Sequence, residues 1–167
     1  MIRLAIICQV VLLAYHQLTT YVDFFPFNGA CNYSLNEKLA EGGSNFVLMI
    51  LAPIGFVFHI RGLMTYGVVY YFFLFAVELI IWWVPYFTVP AGHWRGIYNR
   101  LLSLATSNFE KGDTLAHWCD IHSRLHSGTI AFLPGRAGRP VPNLEHTILH
   151  VWTLITAVIT AAAWRAA

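Results

Sequence analysis

The sequence predicts an all-α, polytopic membrane protein: a bundle of four transmembrane helices with an amphipathic helical loop between spans three and four. Of its 167 residues, 57% are hydrophobic and only 11% are charged. A soluble domain carries about a quarter charged residues, and the shortfall here lies in long apolar runs, not in the segments that connect them. The length is typical of one domain, so we expect a single integral membrane domain over residues 1–167.

The first two runs cover roughly residues 2–22 and 45–60. The first is long enough to cross a bilayer as a helix. The second is short, about 24 Å as a straight helix, and it contains Pro53 and Gly55. Both residue types are tolerated in spanning helices because neighbouring helices satisfy the freed backbone groups. We therefore predict two antiparallel spans in this half of the chain.

The other two runs cover roughly residues 63–87 and 143–164. The third run ends in an aromatic segment at residues 82–87 that contains Pro85, as expected where a span meets the membrane interface. The fourth follows Pro140 and Pro142, and Asn143 is a candidate N-cap. Its alanine and threonine content is typical of a helix that packs closely against another helix.

Threading the chain alternately through the four spans places the loops at 23–44 and 88–142 on the same side of the membrane. These loops carry seven of the ten Lys and Arg residues, which favours a cytoplasmic position for them. The longer loop contains two candidate helices, from Gly92 to Thr106 and from Thr114 to His126, the second capped by Asp113.

The second loop helix is amphipathic, with Leu115, Cys119 and Leu125 on its apolar side. His122 and His126 fall in the middle of that side, while His117 and Asp120 lie opposite. Because the apolar side should rest on the bundle or the bilayer, we expect His122 and His126 to be less exposed than His117.

Two histidine pairs have a spacing that suits a shared metal ion: His122 with His126, and His146 with His150. Residues four apart face the same way on a helix, and imidazole is a common ligand of iron and zinc. Glu145 and Asp120 are candidate further ligands or hydrogen-bond acceptors. The alternative is that the four rings are interfacial or hydrogen-bonded residues without a metal. A haem held by His16 and His150 is a less favoured variant.

Glu78 is the only charged residue well inside an apolar run, so a partner or a cavity is expected beside it. We predict His16 or His150 as that partner, either within hydrogen-bond reach of the Glu78 carboxylate or within about 5–6 Å of it as a charge pair. His16, Thr20 and Asp23 recur at helical spacing near the same end of span one. Glu78, His16 and Asp23 are therefore candidate catalytic residues. The alternatives are a structural hydrogen bond for Glu78 and a turn-capping role for Asp23.

Three functional classes remain open. The first is a membrane enzyme that acts on a lipid-soluble or amphipathic substrate at a His/carboxylate metal site on one membrane face. The second is a non-catalytic subunit that packs against other membrane subunits or against itself. The third is a small proton or ion carrier, which is disfavoured because the far half of the bundle shows few polar groups. The net charge of +2 is dispersed and does not indicate nucleic-acid binding.

Overall fold

The computed structural model describes residues 1–88, 92–105, 114–136 and 138–167, and every regular element within these ranges is helical. Helices α1 to α4 are Ile2–Tyr21, Leu35–Val57, Arg61–Glu78 and Val84–Phe87, with a 3₁₀ turn at Ala30–Asn32 and a π-helical segment at Leu79–Trp83. Helices α5 to α7 are Gly92–Ala105, Thr114–Leu125 and Leu144–Arg165.

The long helices form a closed four-helix bundle. Helix α1 packs against α2 and α7, and α3 packs against the same two neighbours. Four helical stretches are long and apolar enough to cross a membrane, namely α1, α2, the continuous stretch Arg61–Phe87 and α7. The sequence prediction of an all-α architecture with four such helices is confirmed at this level.

The second helix begins about ten residues earlier than the apolar run indicates. It starts after Ser34, whose hydroxyl accepts the Glu37 backbone N–H while the Glu37 carboxylate accepts the Ser34 backbone N–H. This reciprocal capping box starts a helix before its apolar part begins. The helix ends at Val57, three residues before the approximate end predicted at residue 60. As a result, Glu41 lies on a helix and not in a loop.

Pro85 explains the π-helical segment that interrupts the third long helix. Proline has no backbone N–H and its ring clashes with the carbonyl four residues earlier, which here belongs to Ile81. Two carbonyls are freed, and the loop helices supply their donors. The Trp118 indole donates to Ile81 O at 3.1 Å, and the Tyr98 hydroxyl donates to Ile80 O. The segment thereby anchors the loop and turns Trp82 and Trp83 towards α7.

Polar side chains lie inside the bundle beside buried apolar ones such as Leu12 and Phe56, and large apolar side chains also cover its outside. Gln9, Thr153, Thr156 and Thr160 are each 0% exposed, and Gln9 donates to Thr160 at 3.0 Å. The outer faces carry exposed large hydrophobic residues on all four long helices, among them Ile7, Val47, Phe73 and Val158. Exposed apolar surface of this extent marks a surface that is covered by lipid or by another protein.

Helix α6 packs against the connection between α1 and α2 at one end of the bundle. Asn32 donates to the Leu125 carbonyl at 3.0 Å, and Arg124 pairs with Glu37 at 2.7 Å. Gly29 allows the close approach, because a Cβ there would lie 2.2 Å from the same Leu125 oxygen. The described parts of both long connections therefore lie at the same end of the molecule.

The predicted exposure order on α6 is confirmed. His122 is 5% exposed and His126 is 8% exposed, whereas His117 is partly exposed. Asp120 is exposed, so it points away from the bundle and is no candidate ligand of a buried ion. The predicted cap Asp113 lies outside the described residues.

Candidate metal centre

Four histidines gather around one tryptophan: His122 on α6, His126 in the turn after it, and His146 and His150 on α7. Helix α6 ends at Leu125, one residue before the predicted end at His126. The Trp82 ring lies 4.0 Å from His146, 4.6 Å from His122 and 5.2 Å from His126, measured between ring centroids, and 6.1 Å from His150. The pairs predicted on α6 and α7 are thus brought together, with 4.8 Å between the His126 and His146 centroids. Trp82 had been assigned only an interfacial role from the sequence.

The four rings do not offer four lone pairs to one ion. Trp83 donates its indole N–H to His150 Nδ1 at 2.9 Å. An indole nitrogen can only donate, so Nδ1 is the acceptor and the neutral ring carries its proton on Nε2. That Nε2 is buried and has no hydrogen-bond partner among the described residues. His150 therefore presents a donor and not a metal ligand, which also disfavours it as a haem ligand.

His146 has the opposite tautomer, and Asn143 sets it. The Asn143 side-chain oxygen accepts the His146 backbone N–H at 2.9 Å, which confirms Asn143 as the N-cap of α7. The same oxygen lies 2.8 Å from His146 Nδ1. Because an amide oxygen only accepts, Nδ1 carries the proton and Nε2 keeps its lone pair. This is the arrangement typical of a metal-binding histidine, whose second nitrogen donates to a fixed acceptor.

His126 is held by two longer contacts. The Asn143 amide nitrogen lies 3.3 Å from His126 Nδ1, and the Tyr33 hydroxyl lies 3.3 Å from Nε2. The amide nitrogen of Asn143 only donates, so His126 Nδ1 accepts and the neutral ring carries its proton on Nε2. Both distances are at the long end for hydrogen bonds, and metal binding at His126 would replace one of these two contacts. Asn143 thus contacts both histidines, with its oxygen on His146 and its nitrogen on His126.

Glu145 completes a group of three possible ligands. One ligand atom from each of His126, Glu145 and His146 lies within 4.8 Å of the other two. Glu145 is 7% exposed and is the residue next to His146 at the start of α7. Two imidazoles and a carboxylate form the ligand set of many catalytic zinc sites and of non-haem iron sites. This set differs from the four-histidine set predicted from spacing.

His122 on α6 and His126, the residue after its end, are neutral near neutral pH. Burial lowers the pKa of His122 to about 4, although hydrogen bonding to the Val141 backbone acts in the opposite direction. Burial also lowers the pKa of His126 to about 3, and the nearby His122 adds to this effect. Metal binding requires the neutral ring, so both residues are already in the required protonation state.

Two cavities adjoin this group on the side of α2. The smaller one, about 10 Å³, lies among Tyr33, Glu41, Glu145 and His146. Such a volume is about enough for one water molecule. The larger is a cleft of about 550 Å³ that reaches His146 and is lined by Glu41, apolar side chains and further residues of α2. Its apolar lining comes from Ile81, Trp82, Trp118, Ile121 and Leu125.

The predicted catalytic residues lie in three different settings. His16 is buried, and its Nε2 lies 4.0 Å from Glu41 at the edge of the group. Asp23 is exposed, and its carboxylate accepts the Phe25 backbone N–H at 3.0 Å. Asp23 therefore holds the turn after α1, and we do not assign it to the site.

Neither Glu41 nor Tyr33 was predicted from the sequence as a site residue. The capping box at Ser34 was the signal that would have placed Glu41 on a helix face.

Glu78 is buried, but its hydrogen-bond partner is Thr153 and not a histidine. The Thr153 hydroxyl donates to one carboxylate oxygen at 2.9 Å. The other oxygen is buried and, within the described part of the chain, unpartnered. The prediction of a hydrogen bond from His16 or His150 to Glu78 was wrong, because the α7 residue at the depth of Glu78 is Thr153, one turn beyond His150. The looser version, a histidine within about 5–6 Å as a charge pair, stays a prediction.

Comparisons of the sequence with protein-family models and characterised proteins, and of the fold with solved structures, gave no significant match.

Proposed function

We propose that this chain is a small membrane-embedded enzyme that hydrolyses an amphipathic substrate at a divalent metal ion bound by His126, His146 and Glu145. The observation that carries the proposal is the convergence of these three ligand atoms to within 4.8 Å. Zinc and iron both suit two imidazoles and one carboxylate, a set that leaves a coordination position for water. Asn143 fixes the proton of His146 on Nδ1, the nitrogen that lies 3.6 Å from the Glu145 carboxylate, and Nε2 keeps its lone pair.

The surroundings of the three ligands suit hydrolysis. The water-sized cavity beside Glu145 and His146 is also lined by Glu41 and Tyr33. A divalent ion held by His126, His146 and Glu145 would lower the pKa of bound water to about 7. Hydrolysis would form a bond from the water oxygen to the substrate carbonyl or phosphoryl centre and break the bond from that centre to the leaving oxygen. Glu41 would take the proton of the water and pass it to the leaving oxygen. His16 Nε2 lies 4.0 Å from the Glu41 carboxylate and borders it.

The cleft indicates what kind of substrate is admitted. Its volume of about 550 Å³ is within the usual range of small-ligand sites. Apolar side chains and the carboxylates of Glu37 and Glu41 line it, and it leads to His146. An amphiphile fits this lining, with its apolar part against Trp118 and Ile121 and its polar part at the metal. The lipid bilayer is the proposed source of such a molecule.

Metal content is the first test. Protein purified in neutral detergent should carry about one zinc or iron per chain by elemental analysis. His146→Gln and Glu145→Gln should lose the metal. His93→Gln is the matched control, because His93 is an exposed histidine of α5. His150→Gln should also retain the metal, since its Nδ1 accepts the Trp83 indole proton.

Activity is the second test. Hydrolysis of fluorogenic acyl esters and phosphoesters should be abolished by a chelator and restored by adding back the metal found. Glu41→Gln should retain the metal and lose most turnover, because general-base catalysis contributes about 10²–10⁴-fold. Metal-free wild-type protein, or equal metal loss in His93→Gln, would contradict the proposed centre.

A proton carrier is the second candidate, favoured by the polar groups inside the bundle. Along α7, His150, Thr153, Thr156 and Thr160 are all buried, and they continue the line from the histidines towards the far end. Glu78 and Thr156 each have a buried oxygen without a partner among the described residues. Such atoms commonly bond to internal water. The far half of the bundle is therefore more polar inside than the sequence pattern indicated.

Proton flux into liposomes separates this candidate from the enzyme. If the bundle carries protons, Glu78→Gln should abolish dye-detected acidification, because the amide keeps the Thr153 hydrogen bond but does not titrate. Glu37→Gln, which alters an exposed carboxylate paired with Arg124, is the matched control. No flux above that of empty liposomes would exclude this candidate and leave the enzyme proposal untouched.

A further inference from the structure

A second cavity, of about 270 Å³, adjoins the histidines on the side away from the cleft. It shares no lining residue with the cleft. His146 lines the cleft and His126 lines this cavity, so the two rings lie between them. The polar side chains around this cavity are two guanidinium groups, two hydroxyls, two imidazoles and one amide, from Arg136, Arg139, Ser123, Thr129, His122, His126 and Asn143. Its described lining contains no carboxylate.

The two arginines are held close together without an acidic partner. Arg139 donates to the Tyr86 carbonyl at 2.9 Å, and Arg136 donates to the same oxygen at 3.4 Å. The Arg136 guanidinium also lies 4.9 Å from the centre of the Tyr86 ring. Over the described ranges, neither arginine forms an ion pair. A guanidinium has five N–H donors, so most of the donors in this pair remain available to a ligand.

A buried polar atom beside the arginines also lacks a partner. His122 lines the cavity, and its Nε2 is buried with no hydrogen bond to any described residue. Because the Val141 carbonyl accepts the one proton of the neutral His122 ring, Nε2 carries a lone pair and needs a donor. A phosphate-type ligand that keeps one hydroxyl group supplies this donor. Its negative charge also relieves the repulsion between two cations that now share one neutral carbonyl.

We propose that this cavity binds a phosphate-type oxyanion, with Arg136 and Arg139 as the main donors. Arginine suits this role because its planar group donates two parallel hydrogen bonds to phosphate oxygens. The same chemistry is offered by a lipid phosphate headgroup and by free phosphate. Because His126 borders both this cavity and the candidate metal centre, a bound lipid phosphate would hold the substrate beside the metal; that last step rests on the proposed function.

Binding is tested on the full chain in neutral detergent after chelator treatment, so that the outcome does not depend on the metal. Calorimetric titrations at constant ionic strength use sodium phosphate, short-chain phosphatidic acid and, as the zwitterionic control, short-chain phosphatidylcholine. The double variant Arg136→Gln with Arg139→Gln should weaken phosphate and phosphatidic acid binding at least about tenfold, since hydrogen bonds to charged groups contribute about 1.5–3 kcal/mol.

Two further variants keep the test decisive. Arg165→Gln removes an exposed arginine in the last turn of α7, at the other end of the bundle, and should leave binding unchanged. Arg136→Gln alone serves if the double variant fails to fold, because Arg136 is exposed and makes the longer bond to Tyr86. It should still weaken binding by several-fold.

The outcomes separate the sources of the anion. Phosphatidic acid binding at least tenfold tighter than inorganic phosphate supports a lipid headgroup, and equal affinities overturn the link to the substrate. No binding of either probe, or equal binding by the wild type and the arginine variants, overturns the anion site. If binding depends on the arginines but the protein carries no metal and shows no hydrolysis, the anion site is supported and the proposed function is contradicted.

Discussion

Trp83 donates its indole N–H to His150 Nδ1 at 2.9 Å, and this bond decides which nitrogen of His150 carries the proton. The tryptophan lies in the π-helical segment Leu79–Trp83, and the histidine lies on α7. His150 and His146 share one face of α7 but have opposite tautomers, because different elements supply their hydrogen-bond partners. Sequence spacing alone predicts that the two rings are equivalent ligands, whereas their hydrogen-bond partners in the structure make them different.

Replacing Trp83 should change the tautomer of His150 without removing the metal. In the wild type, ¹⁵N NMR of labelled histidine should show the Nε2–H form for His150. Trp83→Phe removes the indole donor, so the two tautomers should become comparably populated. Metal content should stay the same in Trp83→Phe. Loss of metal in this variant would mean that His150 is a ligand after all.

Asn143 should affect the metal as well as helix stability. Asn143→Ala removes the cap of α7, which costs about 1 kcal/mol. It also removes the acceptor of His146 Nδ1, and loss of such a partner lowers metal affinity about 10–100-fold. Competition with a chelating dye measures the affinity, and thermal unfolding measures the stability.

The matched control for Asn143 is Ser34→Ala, which removes the cap of α2 but contacts neither histidine. It should cost a similar free energy of unfolding and leave metal affinity unchanged. If both variants lowered metal affinity equally, the effect of Asn143 would be one of general stability and not of ligand orientation.

Adding a methyl group at Gly29 should displace α6 from the bundle. A Cβ there would lie 2.2 Å from the Leu125 carbonyl oxygen, so backbone must move. Overpacking of this kind costs about 1–3 kcal/mol. Gly29→Ala should lower the unfolding temperature and speed hydrogen exchange in α6. Gly43→Ala, where nothing lies within 4 Å of the added Cβ, should do neither.

Acidification should release α6 in the metal-free protein. The pKa of His122 falls from 6.5 when exposed to about 4 when buried, and that of His126 falls to about 3. A released α6 binds more protons than a docked one between these values, so docking is fully stable above about pH 6.5 and weakens as the pH falls towards 4. Hydrogen exchange of α6 against pH measures this.

His122→Gln should flatten this pH profile, because the amide does not titrate. The contrary result is that the exchange rates between pH 6.5 and 4 follow only the intrinsic pH dependence of amide exchange. That result would contradict the burial of His122 and His126 as neutral rings. His93→Gln, which alters an exposed ring, should leave the profile as in the wild type.

Features that depend on local pattern were predictable from the sequence. The four long helices follow from the length of the apolar runs, because a helix satisfies its own backbone wherever water is excluded. The burial order of His122 and His117 follows from helical periodicity. The cap at Asn143 follows from its position before an apolar helix. The start of α2 at Leu35 was also within reach, because Ser34 and Glu37 have the spacing of a capping box.

Features that depend on contacts between distant segments were decided only by the tertiary structure. The sequence places His146 and His150 on one helix face, but Asn143 and Trp83 set opposite tautomers for them. It shows that Glu78 needs a partner, but the packing of α3 against α7 selects Thr153. The physical reason is that a helix face is set by neighbours in sequence, whereas a hydrogen bond between elements depends on their relative depth and rotation, which follow from the packing of the whole bundle.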